Sequence, residues 1–140
     1  MKKLTITLVS LFAIVLTVVA QEADKLIGTY ATEGNKAKVS ITKQGNKYIG
    51  TIIWSVTPGI KDKKNPDTAL REKPLVGKVI LKDFVHAGKE VWDKGTIYDP
   101  ESGKTYSCKI TRQSNGNLKV RGFIGISLLG RTSEWTRLKE

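Results

Sequence analysis

The chain holds one histidine, His86, and one cysteine, Cys108, so a Cys/His pair or a Ser/His/Asp triad has a single candidate for each of its rarest members. His86 follows Phe84-Val85 at an expected strand end close to Gly88, the setting of a turn or surface imidazole. Cys108 alternates with Tyr106 and Ile110, which places it on an apolar strand face, where a free thiol behaves as a small hydrophobe and stays protonated. No cluster of Cys, His and carboxylate stands at metal-ligand spacing, so the sequence implies neither a metal nor a cofactor. Carboxylates leave one more route. Asp62 and Asp67 share an irregular segment, and Asp93 and Asp99 flank Thr96-Ile97-Tyr98. Paired carboxylates perform general acid and base work, so Asp62, Asp67 or Asp99 with Lys104 and Tyr106 would suit a hydrolase or an isomerase. The competing role is turn formation, above all for Asp99 before Pro100.

Binding chemistry has more material. Trp54, Trp92, Trp135 and Tyr98 supply large amphipathic surfaces, and Arg121 and Phe123 share the strand face opposite Leu118 and Val120. An apolar passage punctuated by glycine then runs from Gly122 to Arg131, with spacing that suits close backbone approach or a sharp bend. Arg131 and Arg137 are candidates for stacking on an aromatic ring or for closing a sheet with a charged hydrogen bond.

The elements that must position these groups are strands. Ala37, Val39 and Ile41 alternate with Lys38, Ser40 and Thr42; Lys43-Gln44-Gly45-Asn46-Lys47 reads as a hairpin connection, and Tyr48–Val56 as the returning strand. Lys25–Tyr30, Val76–Val85, Glu90–Asp93, Thr96–Asp99, Thr105–Gln113, Asn117–Ile124 and Thr132–Leu138 read as further strands, eight or nine in all. Turn chemistry at Asp99–Gly103 and Ser114–Asn117 keeps the connections short and neighbours antiparallel. The expected fold is all-β: a small up-and-down barrel, with a two-sheet sandwich as the alternative. One segment breaks the pattern. Pro58–Pro74 holds three of the four prolines, and inside it Asn65 as cap, Pro66 at the first position and Pro74 as stop predict a helix of about two turns. Such a loop serves as a lid, a binding loop or an ordered plug over one barrel end.

Composition adds a destination. Lys2 and Lys3 precede the uncharged stretch Leu4–Val19 and the small residue Ala20, the pattern of a secretory signal peptide cleaved after residue 20. The expected division is a signal peptide over 1–20 and a single domain over 21–140, exported to the periplasm or beyond, with no transmembrane segment in the mature chain. Cleavage would lower the net charge from +11 to +9 and leave all 13 glycines in place. Export removes nucleic acid as the usual partner of a basic chain, and the Lys and Arg residues are dispersed rather than blocked. With Cys108 alone, no intramolecular disulfide forms, and stability must come from packing.

Several motifs together resemble domain-of-unknown-function family 2147, small exported bacterial proteins: Asn65-Pro66-Asp67 with Ala69-Leu70-Arg71, Pro74-Leu75-Val76-Gly77, Gly95–Pro100 with Gly103–Tyr106, Arg121–Gly125, and Gly130-Arg131 with Trp135-Thr136-Arg137. The resemblance implies export and a single β-rich domain, and implies no mechanism. A fold-level similarity to lipocalin-type barrels rests on Gly28-Thr29-Tyr30, where those barrels carry Gly-x-Trp, and on Arg131 or Arg137 as the last-strand Arg that packs over the aromatic.

These readings predict a non-enzymatic binder of a small hydrophobic or amphipathic, lipid-like ligand. The expected lining is Trp54, Trp92, Tyr98, Arg121, Phe123 and Trp135, with Asp62, Asn65 and Arg71 at the rim and Arg131 beside them. Two other functions stand beside it: a structural or interaction protein docking on anionic envelope polymers or a partner protein, and the loop-carboxylate hydrolase or isomerase described above.

Overall fold

The computed structural model describes residues 2–126 and 128–140, and the side chains of these from residue 13 onward. Met1 of the expected signal peptide and Ser127 of the glycine-punctuated passage lie outside the described residues. An N-terminal helix, α1 (Lys2–Ala23), runs directly into a 3-10 helix over Asp24–Leu26. Among the described residues no helix is long and apolar enough to cross a membrane.

Eight strands follow: β1 (Gly28–Ala31), β2 (Ala37–Gln44), β3 (Lys47–Ser55), β4 (Val79–His86), β5 (Val91–Asp99), β6 (Lys104–Arg112), β7 (Leu118–Phe123) and β8 (Gly130–Arg137). Each pairs antiparallel with the next, and β8 returns to β1 through Tyr30 opposite Arg137 and Ala31 opposite Thr136. The sheet is therefore a closed up-and-down barrel rather than a sandwich. Closure leaves no free sheet edge, which suits a chain without disulfides. The two expected strands Glu90–Asp93 and Thr96–Asp99 are one strand, β5, carried through a bulge at which Lys94 takes a left-handed φ of 59°. Asp83 in β4 does the same at 62°, so the paired strands kink together and turn Phe84 inward across Gly95.

Paired residues share a face, so register separates inside from outside. Tyr30, Val39, Ile41, Tyr48, Phe84, Trp92, Cys108, Ile110, Leu118, Val120 and Trp135 point inward and are buried in one continuous core. The core reaches the end where β1 begins. There Leu26 of the 3-10 helix is fully buried, the Trp92 indole N–H donates to the Ala23 carbonyl at 3.0 Å, and the Tyr48 hydroxyl donates to Asp24 at 2.6 Å. Those contacts seal the floor of the barrel. The opposite end carries the connections 32–36, 56–78, 100–103 and 124–129 and is the open end.

The long β3–β4 connection differs from expectation in two ways. Its helix is a single 3-10 turn, Thr68–Leu70, capped by Asp67, whose carboxylate accepts from the Ala69 N–H at 3.0 Å. Asn65 instead closes an Asx turn, its carbonyl oxygen accepting from the Asp67 N–H at 2.8 Å. The connection is also neither lid nor plug. It docks on the outer surface of β4 and β5 through the Tyr98–Asp62 hydrogen bond, with its own Leu75 and Ile80 of β4 both buried in the core cluster. The Lys64 carbonyl packs on Gly103 of the β5–β6 turn so closely that no side chain fits there.

Candidate functional site

Two places gather the residues that sequence singled out: the outer clamp under the β3–β4 connection, and the inner wall of the open half of the barrel.

The clamp is built around Asp62, which is 1% exposed. Tyr98 points outward from β5, next to inward Ile97, and its hydroxyl donates to Asp62 Oδ1 at 2.5 Å. The Asn65 amide donates to Asp62 Oδ2 at 2.7 Å, and the Lys78 ammonium sits 3.1 Å from the same oxygen and 4.7 Å above the Tyr98 ring. Burial by itself pushes the Asp62 carboxyl up, but the hydrogen bonds from Tyr98, Asn65 and Lys78 outweigh it and hold the group below its ordinary value. Tyr98 moves the other way, raised by burial and by donating to a carboxylate. A general acid needs a raised carboxyl, and Asp62 is the reverse. Arg71 fastens the same segment by donating from Nε to the Asn65 carbonyl at 2.8 Å. A shallow cleft of about 180 Å³ beside the clamp is lined by Asn65, Pro66, Lys78, Ile80, Tyr98 and Thr105. Asp67 is used as a cap, and Asp99 accepts from the Glu101 N–H and the Ser102 hydroxyl in its turn. Each of these three carboxylates therefore has its own hydrogen-bond partners, shared with neither of the others. Among the described residues no group of three or more His, Cys, Asp or Glu side chains is placed to hold a metal ion.

The inner wall is different. Ile97 and Tyr106 pair across β5 and β6, and Gly122 and Arg131 pair across β7 and β8, all on the inward face toward the open end. Ile97, Tyr106, Gly122 and Ser133 keep partial solvent exposure despite facing inward, whereas Trp92 and Tyr30 below them have none. Space is kept by Gly122, whose position leaves Ile97 Cγ2 only 3.3 Å from where a Cβ would stand. Arg131 rises from this wall at the rim, 84% exposed in its side chain, and reaches Glu33 at 3.3 Å.

The ten expected binding residues are thus distributed rather than gathered. Trp92 and Trp135 point inward but lie in the sealed part, Trp135 donating to the Ser133 hydroxyl at 3.1 Å. Trp54 does not line the barrel. A bulge in β3 sets it opposite Lys38, whose ammonium lies 5.1 Å over the indole on the outer face, beside a groove of about 270 Å³ shared with Ala31, Asn35 and Leu138. Tyr98 belongs to the outer clamp. Arg121 and Phe123 also face outward, because Gly122 between them faces in; Arg121 donates to the Thr132 hydroxyl at 2.8 Å. Asp62, Asn65 and Arg71 hold the connection together outside the barrel. Ile97, Gly122 and Ser133 are not among the residues expected at the site, although the alternation of Leu118, Val120 and Gly122 marks Gly122 as inward.

The lone reactive groups have structural places. His86 ends β4, its Nε2 2.7 Å from the Lys89 carbonyl and its ring 5.0 Å from Trp92. Cys108 is buried in the core, and burial pushes its thiol up to about 12.

At the β1–β8 seam Arg137, not Arg131, packs over the aromatic of Gly28-Thr29-Tyr30. Its guanidinium lies 5.4 Å above the Tyr30 ring, donates to the Tyr30 hydroxyl at 2.7 Å and to the Ile27 carbonyl at 2.9 Å, and passes so near Gly28 that a Cβ would stand 2.9 Å from it. A solved structure with the same architecture, described as "Protein HP1028 from the human pathogen Helicobacter pylori belongs to the lipocalin family", aligns with a TM-score of 0.77 and 30% identity over 82% of this chain and 84% of that one. No curated protein matches. Residues 28–137, every strand of the barrel, match the family described as "Uncharacterized protein conserved in bacteria (DUF2147)", and the chain belongs to that family.

Proposed function

We propose that this protein is an exported, non-enzymatic binder that takes a small amphipathic ligand into the open half of its barrel. The observation that carries the reading is the exposure left on the inward faces of Ile97, Tyr106, Gly122 and Ser133 above a sealed floor. An eight-stranded barrel holds one small ligand where its interior is not filled. The apolar part of the ligand lies against Ile97, Tyr106 and Val120, and an anionic head group meets Arg131 at the rim. The lipocalin-family likeness of the barrel favours such use. Export is supported by the basic, apolar and small-residue order of Lys2 to Ala20.

The test uses anilinonaphthalene sulfonate, an apolar anion, and mass spectrometry of molecules extracted from protein purified out of its native compartment. Gly122→Leu fills the wall without backbone strain, and Ser133→Leu does so from the neighbouring strand. Both variants should keep the barrel's circular dichroism and lose at least tenfold in probe affinity. Unchanged affinity in both folded variants, with nothing extracted from the parent, would sink the reading.

A further inference from the structure

We propose that the open end docks on an anionic phospholipid bilayer, with the β7–β8 connection as its inserting tip. The proposal does not depend on an internal ligand. Ile124, Ile126, Leu128 and Leu129 are 68%, 60%, 83% and 68% exposed, on one short connection whose ends are joined by the Ile124 N–H donating to the Leu129 carbonyl at 3.2 Å. Exposed Trp54, near the end of β3, and Val56, just after it, stand at the same end of the barrel. At the floor, Ile27 is only 37% exposed, and the other exposed large apolar side chains there, such as Ile14 and Val19 at 59% and 55%, belong to α1, the expected signal segment. Exposed apolar surface gathered at one end, against the ordinary scatter of single residues, marks an interaction face.

Charge selects the occupant. Arg121 and Arg131 stand at the two roots of the tip, with no acidic residue between them, and the Arg121 guanidinium reaches the Leu128 carbonyl at 3.4 Å. The Thr57–Lys78 connection at the same end carries six Lys and Arg against three Asp and Glu. A second copy would bring two strongly basic chains face to face, whereas an anionic leaflet attracts the basic ring and receives the apolar tip. Insertion of a few apolar side chains beside basic ones is the usual means by which a peripheral protein lies on a bilayer.

The experiment uses the full chain and vesicles of phosphatidylglycerol with phosphatidylethanolamine, against vesicles of phosphatidylcholine alone. Leu128→Cys is labelled with an environment-sensitive fluorophore; Cys108 stays unlabelled because it is buried. On anionic vesicles the label's emission should shift to the blue and be quenched by bilayer-embedded quenchers, with much weaker response on phosphatidylcholine and at high salt. The triple substitution Ile126→Ser, Leu128→Ser, Leu129→Ser alters exposed positions only, so the fold should persist and the vesicle partition coefficient fall at least tenfold. Cosedimentation with an unshifted label would assign any binding to α1 and overturn the proposal. Concentration-dependent dimerisation that the triple variant abolishes, without vesicle binding, would assign the tip to a second copy and also overturn it.

Discussion

Arg137 and Arg131 differ in energetic weight although both belong to β8. Arg137 donates to Tyr30, Ile27 and Lys25 around a fully buried ring, so Arg137→Ala should lower unfolding stability by about 2–3 kcal/mol in urea titration. Arg131 meets Glu33 in water, and Arg131→Ala should stay within about 0.5 kcal/mol of the parent. Gly95 shows the opposite kind of constraint: a methyl there would stand 2.5 Å from the Phe84 ring. Gly95→Ala should cost about 1–3 kcal/mol, and most of that loss should disappear in the Phe84→Leu background, as a double-mutant cycle by chemical denaturation would measure. Cys108 should react with thiol reagents only as fast as the barrel opens, because its thiol is buried and raised to about 12. That inertness was legible from the alternation Tyr106-Cys108-Ile110, since one period of two fixes a side chain's face. Trp54 was not, because an extra residue in β3 reverses the face without changing the local pattern.

Among elements, the β3–β4 connection depends most on a single side chain. The folded Asp62 carboxyl lies below its unfolded value, so its contribution is complete above the unfolded pKa of about 4 and is lost as pH falls through the lower folded value. Acidification through that window should release the clamp and free the backbone at the already exposed Lys61, Lys63 and Lys64 for cleavage by trypsin. Asp62→Asn should show such cleavage already at neutral pH and lose the acid-dependent change, as limited proteolysis followed by mass spectrometry would read. Strands and turns of the barrel were visible in sequence because alternation and Gly/Asn/Asp turns are local. The clamp was not, because Asp62 and Tyr98 lie 36 positions apart and nothing in either neighbourhood states that they meet. The two-turn helix expected at Asn65 is shortened for a related reason: the Asn65 amide is used to satisfy buried Asp62, and capping passes to Asp67, directly after Pro66, for a single 3-10 turn.

For the whole molecule, sequence pattern carried the all-β class, the up-and-down order and the seam aromatic, while the partly exposed inner wall and the apolar tip at one end depend on closure of the sheet. Closure itself has a kinetic consequence. Seven of the eight strand pairings join neighbours in sequence, but β1 and β8 meet over two registered pairs, and the Tyr30–Arg137 contact spans 107 positions. Closing so long a loop is entropically late, so the hairpins should form and associate before the seam does. Arg137→Ala should therefore speed unfolding with little change in the refolding rate, and amides along β1 should exchange with deuterium ahead of those in β5 and β6. The barrel would then have a built-in order of opening: it unzips at the first strand, where the 3-10 segment and the floor are attached, while its central ribbon is still intact.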